Sequence, residues 1–322
     1  MSRIEYNNRE NISSKIGFGK ALKIAAKTNS KLIGLGSDIT TSVGMNIFSD
    51  AFPKRFYSIG IAEQNTVGIA AGMALSGLLP VFSTYAAFAS MRTLDQIRIS
   101  LCYNNLHVII GGAHAGISVG PDGATHQALE DIAVLRALPN ITIISPCDAT
   151  QTQIATINAI SGAKGPVYIR FGREPMPDFS STEQEFTIGK AQRLTDGNDI
   201  AIIATGHLVW ESLEAAKELL KLGINARVIN MHTIKPIDEQ EIVLTAKECK
   251  YIITAEEHQI TGGLGSAVAE VVVKNHPCKM DFVGMPNTFG ESGLALELMD
   301  KYGMNAKTIV RKALTILNNI NH

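Results

Sequence analysis

The sequence predicts an α/β fold with two doubly wound sheet domains, because short runs of β-branched and other apolar residues alternate with segments of helix length. The chain has 322 residues, which corresponds to two domains at roughly 150 residues each. Residues 173–187 hold two prolines and many polar or acidic side chains, and such a composition cannot continue the interior of a sheet. We therefore expect a first domain over residues 1–178, a linker over 179–189 and a smaller second domain over 190–322.

The strands of the first domain are predicted where apolar residues run together, as is typical of strands buried on both faces of a parallel sheet. These runs are residues 31–36, 79–84, 107–112, 141–146 and 166–171. Helix-length segments lie between them, at residues 61–77, 86–103, 127–138 and 149–161. The alternation predicts a parallel sheet with helices on both faces.

The second domain repeats this alternation. Its predicted strands are residues 199–205, 226–231 and 251–255. Its predicted helices are residues 207–222, 238–247, 263–274 and 306–318.

Composition excludes several classes of protein. The 29 Lys and Arg residues nearly balance the 30 Asp and Glu residues, so no basic surface points to nucleic acid. The chain opens with polar residues and has no run of about 18 apolar residues, so we expect a cytoplasmic protein with no membrane partner. The four cysteines are far apart and form no C-x-x-C pair, which predicts free thiols rather than disulfides or a zinc site.

Glu63 lies where a predicted strand end passes into a helix rich in small residues. An acid in the first turn of a helix commonly complements the helix dipole, an effect worth about 0.3–1 kcal/mol. Alternatively, its carboxyl lies at the carboxyl edge of a parallel sheet, where α/β folds bind ligands, and an apolar setting raises its pKa. The residues alone leave both interpretations open.

Tyr85 and Phe88 are three positions apart, just after a predicted strand. This spacing is typical of the buried face of a helix. The two rings are also suited to stack against a planar ligand.

The loop 114–127 has the densest group of polar side chains, including His114, Asp122 and His126 among three glycines. Loops that directly follow a buried strand often have functional residues, and we favour that interpretation here. The alternative is that Asp122 and Thr125 cap a helix beginning near residue 126. A metal site is less favoured, because no further ligand lies near the two histidines.

Two further groups could bind an anion. Arg170 and Arg173 follow a predicted strand, as an anion clamp or as ordinary surface ion pairs. The glycines of residues 262–265 precede a predicted helix, where they indicate an anion cradle, close packing or an interface.

Taken together, these segments resemble the C-terminal half of transketolase, in the form of the separate C-terminal subunit found where the enzyme is split. Residues 61–65 (IAEQN), 83–88 (STYAAF) and 120–127 (GPDGATHQ) resemble the pyrimidine-binding domain of thiamine-diphosphate enzymes. The match continues in order at residues 139–140 (PN), 145–148 (SPCD) and 165–170 (GPVYIR). Farther along, the family's C-terminal domain is resembled by residues 205–206 (TG), 235–238 (KPID), 256–258 (EEH) and 262–265 (GGLG). The resemblance covers nearly the whole chain.

The resemblance implies that the pyrimidine end of thiamine diphosphate binds here. Glu63 matches the glutamate that hydrogen-bonds the aminopyrimidine ring and helps that ring to remove a proton. Such a carboxyl must be buried and able to share a proton near neutral pH. Tyr85 and Phe88 match the aromatics that lie against the ring, and Asp38 matches an aspartate near the cofactor at the subunit interface.

The resemblance also implies roles toward sugar-phosphate substrates. His126 and Asp122 match residues that contact the hydroxyls of the donor ketose and assist proton transfer. Ser42, His114 and Arg173 match contacts to the substrate phosphate. Lys15 stands where family members usually have an arginine, which keeps the charge but loses the bidentate geometry.

The Gly-Asp-Gly and later asparagine that place magnesium on the cofactor diphosphate in this family are absent from the sequence. The segment Asp196-Gly197-Asn198 lacks the leading glycine and is typical of a turn. We therefore expect no metal site in this chain. The resemblance implies that an N-terminal transketolase subunit supplies the diphosphate and Mg²⁺ site, in an α2β2 assembly.

The function expected from the resemblance is transfer of a two-carbon ketol unit from a ketose phosphate to an aldose phosphate, in the pentose phosphate pathway. Two alternatives are the β subunit of a 2-oxoacid dehydrogenase decarboxylating component and a 1-deoxyxylulose-5-phosphate synthase-like half. A subunit without catalytic residues that only stabilises its partner is an alternative of another class.

Overall fold

The computed structural model describes residues 10–318, whose strands form two main sheets and one short ribbon. In spatial order, the first sheet contains β12 (Thr233–Lys235), β6 (Thr142–Ile144), β7 (Val167–Arg170), β5 (Ile109–Ala113), β4 (Leu79–Tyr85), β2 (Leu32–Gly36) and β3 (Phe56–Ser58). The second contains β14 (Lys279–Met285), β13 (Tyr251–Gln259), β10 (Ile200–Ala204), β11 (Ala226–Asn230) and β9 (Gln192–Arg193). The ribbon pairs β1 (Asn11–Ser13) with β8 (Pro175–Pro177). Apart from β9 and β12, the strands of both sheets run parallel, which confirms the predicted fold class.

Helices cover both faces of each sheet. Among the described residues they are α1 (Ser14–Thr28), α2 (Asn46–Ser49), α3 (Glu63–Leu75), α4 (Leu94–Gln96), α5 (Asp131–Arg136), α6 (Ala149–Gly162), α7 (Leu208–Lys221), α8 (Glu239–Cys249), α9 (Leu264–Asn275), α10 (Ala295–Lys301) and α11 (Ala306–Asn318). Within residues 10–318, none is both long and apolar enough to cross a bilayer.

Successive residues of the central strands of the first sheet pack in different hydrophobic cores, one on each face of the sheet. Phe82 and Ile110 pack with α3 and α5 on one face of the first sheet. Val81 and Ile109 pack with α1 and α6 on the other face. Because successive side chains of a strand point to opposite faces, burial on both sides requires continuous apolar runs. This is why these strands were recognisable in the sequence.

The prediction of a single helix over residues 86–103 is wrong. Two segments with wide π-helical turns, Phe88–Arg92 and Ile97–Tyr103, flank the short α4. Between them the chain leaves the helical conformation at Thr93, whose hydroxyl donates to the carbonyl of Ala89 at 2.8 Å. Threonine hydroxyls that bond back by four residues disturb a helix, and π turns are frequent at functional sites.

The helix expected over residues 127–138 begins only at Asp131. The preceding residues instead pair with neighbouring backbone: Gly116 N donates to Ala128 O at 2.9 Å, and Gln259 N donates to Leu129 O at 2.8 Å. The interpretation of Asp122 and Thr125 as caps of a helix near residue 126 is therefore wrong.

One strand of the first sheet comes from the second half of the chain. β12 pairs antiparallel with β6, and Ser145 N donates to His232 O at 2.8 Å beside it. The strands β1, β3, β9 and β12 have only two or three residues each. Strands this short leave no periodicity in the sequence, since their partners rather than their own residues decide that they form.

Candidate functional site

The carboxyl ends of β2, β4 and β5 meet at one edge of the first sheet, because these strands are parallel neighbours. Just beyond β2 and β5, Asp38 and His114 adopt the left-handed conformation, with φ of 62° and 55°. Such a conformation is uncommon outside glycine and concentrates at functional sites. The rings of four predicted site residues are in contact at this edge: Tyr85, Phe88, His114 and His126.

Glu63 is the first residue of α3 and is only 3% exposed. Its Oε2 accepts a hydrogen bond from Nη1 of Arg92 at 3.0 Å. The side chain of Arg92 is 44% exposed, so one member of this ion pair is buried and the other reaches solvent. The carboxyl therefore lies out of water, whereas its cationic partner lies partly in solvent. Arg92 was not among the residues predicted for the site, since nothing in the spacing of the sequence links it to Glu63.

Aromatic rings lie beside this ion pair. The guanidinium of Arg92 lies over the Phe88 ring, 4.1 Å from its centroid. The Tyr85 and Phe88 rings are 5.9 Å apart, and Tyr85 stacks on the His114 ring at 4.3 Å. His126 approaches Phe88 edge-on at 5.3 Å. The pair Tyr85 and Phe88 thus belongs to a half-buried ring cluster at the sheet edge, not to the buried face of a regular helix.

His114 is almost fully buried, and its Nδ1 has no hydrogen-bond partner within residues 10–318. Burial lowers the pKa of His114 to about 3, and the charges of Arg173, Lys15 and His126 act in the same direction. The imidazole is therefore neutral at physiological pH. Because the cationic side chains of Arg173 and Lys15 act on it, the potential in this part of the edge is positive, which favours an anion.

The turn before α2, which includes Ser42, packs against the first turn of α1 through Gly44. Gly44 has φ of 77°, and a Cβ placed there would lie 2.2 Å from the carbonyl oxygen of Lys15. Only glycine allows so close an approach. The turn that includes Ser42 is thereby held against the first turn of α1, which includes Lys15.

Asp122 and Arg173 form an ion pair, with Nη1 and Oδ1 separated by 3.4 Å. The same Nη1 donates to the carbonyl of Val119 at 2.9 Å. In His126, Nδ1 lies 2.9 Å from the Thr125 hydroxyl, which leaves Nε2 available to another group. Asp122 and His126 belong to the loop after β5, and Arg173 contacts this loop from the end of β7.

Asp38 is exposed at the end of β2. The Ser58 hydroxyl donates to its Oδ1 at 2.7 Å. Its carboxylate faces the outside of the chain, near the start of α3.

The interpretation of Arg170 as an anion clamp or a surface ion pair is wrong. Arg170 is buried, and its Nε donates to Oδ2 of Asp131 at 2.9 Å. Its Nη2 donates to the carbonyls of Ala128 and Glu257. Every one of these contacts is internal, so the guanidinium joins the two halves of the chain.

The glycines before α9 do not form an open anion cradle, because the chain's own Glu256 occupies it. Its carboxylate accepts hydrogen bonds from Leu264 N at 2.6 Å and Gly265 N at 2.8 Å. A Cβ at Gly263 would lie 2.1 Å from Oε2 of Glu256. The glycines allow this close packing. Across residues 10–318, no three His, Cys, Asp or Glu side chains are grouped as a metal site requires.

The sequence matches two protein families in succession. Residues 10–177 match the family described as transketolase, pyrimidine binding domain, and residues 189–309 match transketolase, C-terminal domain. Together these matches span most of the chain.

Relatives of similar length are named as transketolase subunits or sections. The chain is 40% identical to the 6-deoxy-6-sulfo-D-fructose transketolase subunit SqwH of Clostridium sp. (strain MSTE9), over 89% of each chain. It is 42% identical to a putative transketolase C-terminal section of Methanocaldococcus jannaschii, over 92% of this chain and 94% of that one. A solved structure described as split gene transketolase, inactive beta4 tetramer, is 42% identical with a TM-score of 0.89, over 95% of this chain and 99% of that chain.

The match also extends to one of the alternatives. The chain is 37% identical to the 1-deoxy-D-xylulose-5-phosphate synthase of Halothermothrix orenii, over 94% of this chain but only 48% of that protein.

Proposed function

We propose that this chain, which belongs to the transketolase family, acts as a C-terminal subunit that transfers a two-carbon ketol unit from a ketose phosphate to an aldose phosphate with an N-terminal partner. The observation that supports this most is the buried carboxyl of Glu63 beside aromatic rings at the sheet edge. The pentose phosphates are the substrates we propose first.

The residues at the edge fit an aminopyrimidine ring. Tyr85 and Phe88 are half-buried and offer ring faces, and Glu63 offers a carboxyl sheltered from water. When bound, thiamine diphosphate supplies the nucleophilic carbon and the electron sink that ketol transfer requires. We propose that Glu63 hydrogen-bonds a ring nitrogen, which requires Arg92 to release or share the carboxyl. The half-exposed side chain of Arg92 has room to do so.

A substrate phosphate fits the positive region beyond the rings. We propose that Lys15, Ser42, His114 and Arg173 bind it. A lysine in the first turn of α1 is unfavourable toward the positive end of the helix dipole, and a bound phosphate would offset that repulsion. Neutral His114 would donate or accept a hydrogen bond without adding charge.

We assign proton transfer to the loop after β5. His126 has a free Nε2, and the nearby Asp122 is held by Arg173. In the proposal, these two side chains bind sugar hydroxyls and move a proton as the two-carbon unit leaves the donor and joins the acceptor. Asp38 is assigned to the cofactor side, where the partner subunit would approach its exposed carboxylate.

The partner is proposed to cover the surface around Glu63. Large apolar side chains are exposed along α3 and the segments packed against it, with Ile61 76% and Tyr103 84% accessible to solvent. Leu75 and Met91 are exposed on the same elements. Apolar side chains grouped in this way mark protein interfaces. An N-terminal subunit holding the diphosphate and Mg²⁺, an α2β2 assembly and a cytoplasmic location complete the proposal.

Reconstitution tests this function. The purified chain is mixed with a candidate N-terminal subunit that has the Gly-Asp-Gly and asparagine, together with thiamine diphosphate and Mg²⁺. We expect ketol transfer between pentose phosphates only in the mixture, because neither chain alone has both halves of the cofactor site.

Full activity of the chain alone, or no ketol transfer by the mixture, would overturn the proposal. Parallel assays with pyruvate plus glyceraldehyde 3-phosphate, and with a 2-oxoacid plus a lipoyl acceptor, test the two related enzymes. An assay with 6-deoxy-6-sulfo-D-fructose as donor tests the substrate in the name of one relative.

A further inference from the structure

The loop after β5 is held in place by the second half of the chain. Ser118 N donates to Oε1 of Glu257 at 2.6 Å, across the junction between the two sheets. Farther along the loop, Gln127 Nε2 donates to the carbonyl of Glu291 at 2.8 Å. The loop thus has an anchor at Ser118 and another at Gln127, both supplied from outside the first sheet.

Glycines allow this close docking. A Cβ at Gly116 would lie 2.2 Å from Oε1 of Glu257, and one at Gly123 would lie 2.6 Å from the Ser292 hydroxyl. Both glycines also have positive φ. The loop is therefore shaped to fit against Glu257 and the segment before α10.

Glu257 is itself fixed from two further directions. Its Oε2 lies 3.5 Å from Nδ1 of His207, and its backbone carbonyl accepts from Nη2 of Arg170 at 2.8 Å. Burial acts to raise the pKa of Glu257, but the contacts with His207, Arg170 and Ser118 outweigh it, and the pKa lies below its ordinary value. A buried, ionised carboxylate makes a strong hydrogen bond to a backbone N–H.

We infer that Glu257 and His207 are positioning residues, which act through the Ser118 N–H to fix the loop that includes His114, Asp122 and His126. This inference rests on the proposed function for what the loop binds. Neither residue touches the proposed substrate region, since both are buried behind the loop. The C-terminal part of the chain thereby controls the geometry of the donor-sugar site.

The test compares two neighbouring glutamates of β13. Glu257→Gln keeps the size of the side chain but removes the charge that holds the Ser118 N–H. Glu256→Gln is the matched control, because Glu256 is equally buried on the same strand but bonds the start of α9 rather than the loop. Hydrogen–deuterium exchange of the full chain should be about tenfold faster over residues 114–127 in Glu257→Gln than in Glu256→Gln.

Kinetics of the reconstituted pair give the second readout. We expect Glu257→Gln to raise the KM for the donor about tenfold, with the affinity for thiamine diphosphate and the melting temperature close to those of Glu256→Gln. Unchanged exchange over residues 114–127, or an equal rise in KM in both variants, would overturn the inference. The exchange experiment needs no activity, so it decides the role of Glu257 even if ketol transfer is not the reaction.

Discussion

The carboxyl edges of the two sheets both have buried glutamates, but these glutamates have different hydrogen-bond partners. At the first edge, Glu63 is bonded to the half-exposed Arg92, and Nδ1 of His114 has no partner. At the second edge, Glu256 and Glu257 are both buried and both bonded to backbone N–H groups of this chain. We call the first the open edge, because the partner of its buried carboxyl is a half-exposed side chain, and the second the closed edge, because backbone N–H groups bond both of its carboxylates.

The difference shows that the partner of a buried carboxylate decides whether it is available to a ligand. A buried carboxylate needs hydrogen bonds wherever it lies, because leaving water unpaired is costly. The backbone N–H groups that serve Glu256 are fixed by α9, so a ligand cannot replace them. Arg92 bonds Glu63 from a half-exposed side chain, which we propose a ligand displaces.

The largest expected effect is at the open edge. Glu63→Gln should lower kcat of the reconstituted pair by about 10²–10⁴-fold, because an amide cannot share a proton with the pyrimidine. The exposed Glu239 is also the first residue of a helix, α8, so Glu239→Gln is the control. Steady-state kinetics and thermal unfolding of both variants check this.

If Glu63 only complements the helix dipole, the two variants will behave alike. Both would then lose at most about 1 kcal/mol of stability and no activity. That outcome would remove the distinction between the edges.

The next effect concerns the boundary between the edges, where Asp131 and Arg170 form a buried ion pair. Asp131→Asn leaves the Arg170 charge buried without its partner, so we expect the free energy of unfolding to fall by about 3–5 kcal/mol. Glu214→Gln breaks a surface pair with Lys217 and should cost under about 1 kcal/mol. Denaturant unfolding measures both, and equal losses would contradict the assignment of Arg170 as an internal link.

A smaller, pH-dependent effect distinguishes the two glutamates of the closed edge. Burial raises the pKa of Glu256 to about 7, so between its ordinary value and about 7 the folded chain keeps a proton that the unfolded chain has released. This contribution to stability is fully present below the ordinary value and is lost as the pH rises through 7. The stability advantage of the wild type over Glu256→Gln should therefore shrink between pH 5 and pH 8, by on the order of 2 kcal/mol.

The pH dependence of the stability that Glu257 contributes has the opposite sign. Its pKa is lowered, so its contribution is present above the ordinary pKa of a glutamate and is lost only as the pH falls through the folded value. The advantage of the wild type over Glu257→Gln should stay level between pH 5 and pH 8. Chemical denaturation at several pH values in this range measures both stability differences. If the two differences changed equally with pH, the two carboxyls would have the same environment, which would contradict the prediction.

Much of the fold was predictable because burial on both faces leaves a continuous signal. The runs that become β2, β5 and β10 are apolar throughout, and the closing helix has the bounds that the sequence predicts. The break at Thr93 was not predictable, because a threonine within a helical pattern signals nothing until its hydroxyl finds the Ala89 carbonyl. The late start of α5 depends on backbone partners at residues 116 and 259.

For the site, the sequence by itself determined the residue types and their placement after parallel strands. This placement predicts that Glu63, Tyr85 and His114 lie at one edge of the first sheet, since parallel strands have their carboxyl ends together. Only the tertiary structure decided the partners: Arg92 for Glu63, Asp131 for Arg170 and Glu256 for the glycines before α9. Pairing of charges depends on distance and burial in three dimensions, and neither is encoded in the local pattern of a sequence.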